Sequence, residues 1–220
     1  PCVRTNQLDF DDEVVHATRQ KLYDLARERD ERPFLLVASL THPHDPFAIP
    51  HRYWNLFDGV DIPAPAVTAA DVADDPHSAR LRAVCELDKT PVRAEATQRA
   101  RRAYLGAIAY VDEQFASILQ VLEDTGQAED TTVIVVSDHG EMLGERGLWF
   151  KMGFFEGATR IPLIVHAPPP CTSATPIAAR RRRASAYRST FQCPGRVGAN
   201  IADAPASRET KASNTSVPTS

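Results

Sequence analysis

Residues 136–157 read VSDHGEMLGERGLWFKMGFFEG, and they hold a carboxylate, an imidazole and an ammonium group in one short stretch. Asp138 and His139 are adjacent and follow the apolar run 131–136. Such a pair at a strand end reaches one divalent cation or does acid–base work, with Gly140 allowing a sharp turn beside the ion. Lys151 adds a positive charge on a flexible stem, suited to an anionic substrate. The plainer alternative is a turn with a helix N-cap and a solvated lysine. A second constellation, SLTHPHDPF at 39–47, also comes after an apolar run. His42 and His44 flank Pro43, and Pro46 stiffens the chain beyond them. The two prolines are expected to hold the loop extended and to lower the entropy cost of placing a side chain. A histidine here donates to an anion or acts as a general acid; alternatively, the histidines bond backbone carbonyls in a structural loop. Two such loops at the ends of parallel strands converge on one crevice.

Periodicity indicates the elements that would position these groups. Residues 11–28 read as a helix, with Val15, Thr18, Leu22 and Leu25 at three- and four-residue spacing and acids at its start. Residues 34–40 read as a buried strand and 41–50 as loop. Residues 51–91 read as irregular, with one short helix around 80–87. Residues 93–125 carry the longest helix signal, with Tyr104, Ile108, Val111, Phe115, Ile118 and Leu122 on one face. Gly126 is a natural stop. Strands are expected at 131–137 and 161–167. This order predicts an α/β fold with a mostly parallel sheet and flanking helices.

The chain has 220 residues, 43% apolar content, 25% charged content and a net charge of -4, ordinary values for a soluble globular protein. No apolar run is long enough to span a membrane. Four scattered cysteines, without metal or disulfide spacing, fit a reducing compartment. Two regions are expected: 1–167 as a partial catalytic domain, and 168–220 as a low-complexity tail rich in Ala, Arg, Ser, Thr and Pro. The tail reads as disordered, as a basic arm around Arg180–Arg183, or, the favoured reading, as frameshifted translation of a GC-rich gene. Four arginines alone are a weak nucleic-acid signal, so a nucleic-acid partner is not expected.

The two constellations together resemble the sulfatase branch of the alkaline-phosphatase-like superfamily, over about residues 5–167. SDHGEMLGERGLWFKMGFFEG, THPHDPF and the helix RRAYLGAIAYVDEQFASIL carry the resemblance. Asp-His at the strand end, rather than Asp-Asn, is similar to choline-sulfatases and phosphonate-monoester hydrolases. The resemblance implies hydrolysis of a small sulfate ester, choline sulfate above all, by a formylglycine nucleophile with a divalent cation such as Ca2+ or Mn2+. It implies Asp138 and His139 as metal ligands, and Lys151 and His44 as catalytic, sulfate-binding groups. His42 reads as a structural neighbour. The family's C-x-P-x-R nucleophile motif is not found: Cys2 is followed by Val3-Arg4-Thr5-Asn6. Asp11 and Asp12 open a helix rather than end a strand and are rejected as ligands. The chain is therefore expected to be an internal fragment of a cytoplasmic, homo-oligomeric enzyme, inactive alone. The alternatives are a phosphonate or phosphate ester hydrolase of the same superfamily and a non-catalytic product.

Overall fold

Thr5 opens the first helix. Its Oγ1 accepts the Leu8 N–H at 3.2 Å, and α1 runs Asn6–Arg27. The computed structural model describes residues 1–28, 32–73 and 75–168. The acids at 11–13 were expected to mark the start of this helix. Thr5 caps the helix earlier by taking one orphan N–H, that of Leu8, so Asp11 falls in the second turn. There it lies on the inward face with Leu8, Val15, Thr18 and Leu22.

A short helix α2, His51–Asn55, lies in a stretch expected to be irregular. The helix expected around 80–87 is α3, Pro76–Val84. It starts earlier because Asp75 caps it, accepting from His77 N–H at 3.0 Å and Ser78 N–H at 2.9 Å, with Pro76 in the first turn. The long helix α4, Ala94–Asp124, lies almost where the periodicity predicted. It ends in a Schellman cap: Gln127 N–H donates to Leu122 C=O at 2.9 Å and Gly126 N–H to Glu123 C=O at 3.0 Å, with Gly126 at φ +72°.

The buried face of α4 matches the predicted one only in part: Leu122 is buried and Val111 and Ile118 pack against the core. Ile108 is 43% exposed, whereas Ala103, Gly106, Ala107 and Tyr110 are buried. The reason is steric. An ideal Cβ on Gly106 would lie 2.2 Å from Ile49 Cδ1, so the small-residue stripe is where Ile49 and Tyr53 can approach. Leu8, Ile49, Tyr53, Ala107 and Tyr110 form the core between α1, α2 and α4. Leu22, Val121 and Leu122 form a second cluster at the far end of α1 and α4.

The sheet is the largest correction. Among the described residues it has two strands, β1 Val133–Val136 and β2 Leu163–His166, and they are antiparallel, with Val133 opposite His166 and Val136 opposite Leu163. Residues 34–40 form no strand, and Leu35 and Val37 are 90% and 76% exposed. The chain between β1 and β2 decides the direction. It contains the single-turn helix α5, Glu156–Thr159, and Gly140 N–H donates to Ala158 C=O at 2.7 Å. That bond returns the chain to the end of β1 it has just left, so β2 runs back beside it.

The described residues belong to one unit, Pro1–Ala174; a second, Thr175–Ser220, lies wholly outside them. The expected tail, apart from Pro168, therefore falls outside the described residues. No described helix is long and apolar enough to cross a membrane.

Candidate functional site

The 41–50 loop is held from α1. The Asp11 carboxylate, fully buried, accepts Thr41 N–H at 2.6 Å, His42 N–H at 3.1 Å and His42 Nδ1 at 2.7 Å. Burial pushes the Asp11 carboxyl up, but the His42 imidazole and the two backbone N–H groups more than offset it and leave it below its ordinary range. The His42 ring sits edge-on to Tyr110 at 4.9 Å. The loop was expected to run extended; instead His44 N–H donates back to Thr41 C=O at 3.0 Å, and the His42–Pro43 and Asp45–Pro46 bonds are cis. His44 is exposed while His42 is buried against Asp11 and Tyr110.

The 137–151 segment arrives from β1. Its close return to α5 explains Gly140 differently from a sharp turn. Gly140 does not have a positive φ; an ideal Cβ there would lie 2.1 Å from the Gly157 carbonyl oxygen. Beyond it, Leu143, Arg146 and Phe150 all have positive φ, at +48°, +58° and +67°. Such positions cost roughly 1–3 kcal/mol each and persist only where surroundings fix them. Two glutamates do so. Glu141 Oε1 accepts Phe150 N–H at 2.6 Å and Leu143 N–H at 3.3 Å. Glu145 accepts Ala66 and Val67 N–H, both at 3.0 Å, and Arg101 on α4 donates to Leu143 C=O at 3.0 Å. Burial pushes the Glu141 carboxyl up from its ordinary range, against the pull of its two N–H donors.

These two loops meet. Lys151 Nζ lies 2.5 Å from His44 Nε2 and 3.6 Å from Asp45 Oδ1. His44 Nδ1 donates to Asp45 C=O at 2.9 Å, which leaves the Nε2 lone pair facing the ammonium group. The His139 ring lies edge-on to His44, 6.1 Å between centroids. His139 Nδ1 donates to Gly140 C=O at 2.9 Å, freeing Nε2, which lies 3.6 Å from Asp138 Oδ2. A backbone carbonyl on the far nitrogen is the usual second partner of a metal-binding histidine. Asp138 is largely exposed, and its Oδ1 accepts His139 N–H at 2.9 Å. The pair fits two donors of a cation seat. Among the described residues no group of three or more His, Cys, Asp or Glu side chains gathers as a metal centre. Of the two described cysteines, both half-buried, Cys85 has its thiol pushed up by burial, away from thiolate character.

The structure thus brings His44, Lys151 and His139 together, with Asp138 beside His139. Asp45, Glu141, Glu145 and Arg101 were missed from the sequence. The signal for the glutamates was present: two acids four residues apart inside a loop rich in Gly and apolar residues.

A cationic side chain, two outward imidazoles and a carboxylate in one loop cluster suit a protein that holds an anionic ester group beside a cation. The comparisons with known proteins narrow that class. The sulfatase family profile matches residues 3–191, and the chain belongs to the sulfatase family, in the alkaline phosphatase superfamily. The chain is 44% identical over 168 residues to the choline-sulfatase of Rhizobium meliloti (strain 1021), covering 74% of this chain and 33% of that protein. It is 31% identical over 162 residues to an arylsulfatase of Clostridium perfringens (strain 13 / Type A), covering 71% and 33%. The phosphonate monoester hydrolase SpPMH from Silicibacter pomeroyi superimposes with a TM-score of 0.59 at 27% identity, covering 74% of this chain and 33% of that one. The chain spans about a third of the length of the curated relatives it matches.

Proposed function

We propose that this chain forms one wall of the active site of a sulfuric ester hydrolase of the choline-sulfatase type. The observation that carries the reading is the contact between Lys151 and His44, 107 positions apart in sequence, beside the His139 ring. Lys151 and His44 bind the sulfate oxygens. The proton on Lys151 Nζ, shared with His44 Nε2, is the one placed to pass to the leaving alcohol oxygen as the S–O bond breaks. Asp45 holds both groups, by its carbonyl to His44 Nδ1 and its carboxylate to Lys151. Asp138 Oδ2 and His139 Nε2 supply two ligands of a divalent cation, Ca2+ or Mn2+, which polarises the sulfate oxygens when bound. Both the remaining oxygen ligands that a hard cation needs and the formylglycine nucleophile come from parts of the enzyme beyond this chain. The whole enzyme in this reading takes choline sulfate, works in the cytoplasm and assembles as a homo-oligomer.

Mn2+ alone is the probe. It is expected to broaden the nuclear magnetic resonance signals of residues 138–140 and of the His44 ring, and Asp138→Ala is expected to abolish that broadening. Broadening centred elsewhere, or unchanged in Asp138→Ala, overturns the assignment. The chain alone is expected to release no sulfate from choline sulfate; turnover at an enzymic rate would show that the nucleophile lies within it.

The likeness to SpPMH supports a second reading, a phosphonate or phosphate ester hydrolase. Titrating the His44 signal with sulfate and with phenylphosphonate separates the two: tighter sulfate favours the first, tighter phosphonate the second.

A further inference from the structure

The geometry points to Glu141 as the positioning residue for Lys151. The value of this role for catalysis rests on the sulfate-binding role proposed for Lys151; the role itself rests on the loop. Lys151 comes directly after a ten-residue excursion, 141–150, with left-handed non-glycine residues at 143, 146 and 150. Gly144 and Gly147 supply two of the left-handed positions, but at 143, 146 and 150 the residue type opposes the path: leucine, arginine and phenylalanine all prefer negative φ. One carboxylate oxygen fastens both ends. Glu141 Oε1 takes the N–H of Leu143, where the chain departs, and of Phe150, where it returns. Beside it, Met142 N–H donates to Phe150 C=O at 2.9 Å, so the peptide groups flanking the Phe150 Cα are both tied to the 141–142 stem. Lys151 is the next residue, and its direction is set by that anchored peptide.

Glu145 does a different job. It docks the outer part of the loop on Ala66 and Val67, and Arg146 N–H donates to Val67 C=O at 2.7 Å. Loss of Glu145 loosens the outer loop while the stem at 141–142 and 150 stays closed. Glu141 alone ties the departing and returning ends through one side-chain atom. Its test therefore needs a readout at Lys151 rather than at the loop as a whole. His44 provides it, because His44 Nε2 receives the Lys151 ammonium from another part of the chain.

The experiment measures the imidazole nitrogen and proton resonances of His44 in the 220-residue chain, with no substrate or metal added. Lys151→Ala defines the position without the ammonium contact, and the buried His42 ring reports on the rest of the fold. Glu141→Ala and Glu141→Asp are expected to move the His44 Nε2 resonance toward its Lys151→Ala position with His42 unmoved. Glu141→Gln, whose amide oxygen still accepts the Phe150 N–H, is expected to keep it at the native position. Glu145→Gln is expected to leave it there too. If Glu141→Ala does not fold, Glu141→Asp decides: it keeps the charge, but one methylene less cannot reach both 143 and 150. A His44 resonance unchanged in Glu141→Asp, with Lys151→Ala shifted, overturns the proposal. So does a Glu141→Gln spectrum matching Lys151→Ala. Because no sulfate ester is present, a failed sulfatase reading does not alter this outcome, and a failed positioning role leaves the Mn2+ result untouched.

Discussion

A fully buried carboxylate, Asp11, and a half-buried one, Glu141, fasten the two loops of the site, and their acidities shift in opposite directions. Asp11 holds the 41–42 backbone and the His42 imidazole, and these bonds together outweigh burial, so its carboxyl falls below the ordinary range. Glu141 holds the 143 and 150 backbone with no cation bonded to it, and burial raises it. The first clamp lies deep in the helical core and turns His44 outward by fixing its neighbour. The second is local, closing a loop on its own stem. The comparison shows that a reactive side chain can be aimed from far away, by a clamp in the helical core, or from nearby, by a clamp on the loop's own stem.

The largest expected effect comes from breaking the deep clamp. Asp11→Ala leaves two backbone N–H groups and the His42 Nδ1 without an acceptor at a site fully closed to solvent. A loss of about 3–5 kcal/mol in chemical denaturation is expected. Asp11→Asn retains one acceptor oxygen and should fall between that and the native chain.

Next is the close approach that returns the second loop. Gly140→Ala sets a Cβ 2.1 Å from the Gly157 oxygen, a backbone atom that cannot swing aside. About 1–3 kcal/mol should be lost, together with the Mn2+ broadening at residues 138–140. Gly126→Ala is the control. Nothing lies within 4 Å of its Cβ, and only its φ of +72° opposes the change, at about 1–2 kcal/mol without effect on the loop cluster.

Acid separates the clamps further. Asp11 has a depressed folded value, so its contribution is complete above the ordinary aspartate range and is lost as pH falls through the lower folded value. Asp11→Asn should flatten that acid limb of stability, followed by circular dichroism against denaturant. At the alkaline end, burial and then the Glu113 charge push the Tyr53 hydroxyl up to about 12. The unfolded chain loses its tyrosine protons first, so stability present below about pH 10 declines toward the folded value. Tyr53→Phe should shrink the alkaline limb without removing it, because burial also raises the Tyr110 and Tyr104 hydroxyls.

Much of the local structure was legible. The stop at Gly126, the extent of α4 and the loop at 41–50 come from residues whose preferences act within a few positions. The sulfatase resemblance was also legible, because two unusual motifs occur in one chain. The buried face of α4 was legible only at its C-terminal half, where Leu122 is buried. Counting large apolar residues chose Ile108, but close packing chose Gly106, which makes room for Ile49. Asp11 was read as the opening of a helix because its partners, Thr41 and His42, lie 30 and 31 residues away.

The sequence by itself determined the types of group available: an ammonium, three imidazoles, a strand-end carboxylate and the loops that carry them. Its information is local, resting on backbone preference and on which side chains ionise. Only the tertiary structure decided that β2 runs antiparallel to β1, that His42 is buried while His44 faces Lys151, and that Glu141 and Glu145 brace rather than bind. The reason is physical. Strand direction, burial and hydrogen-bond partnership are properties of pairs, settled by the segments the chain brings alongside each other: the Gly140–Ala158 bond for the sheet, Asp11 for the histidine loop and Phe150 for the lysine loop.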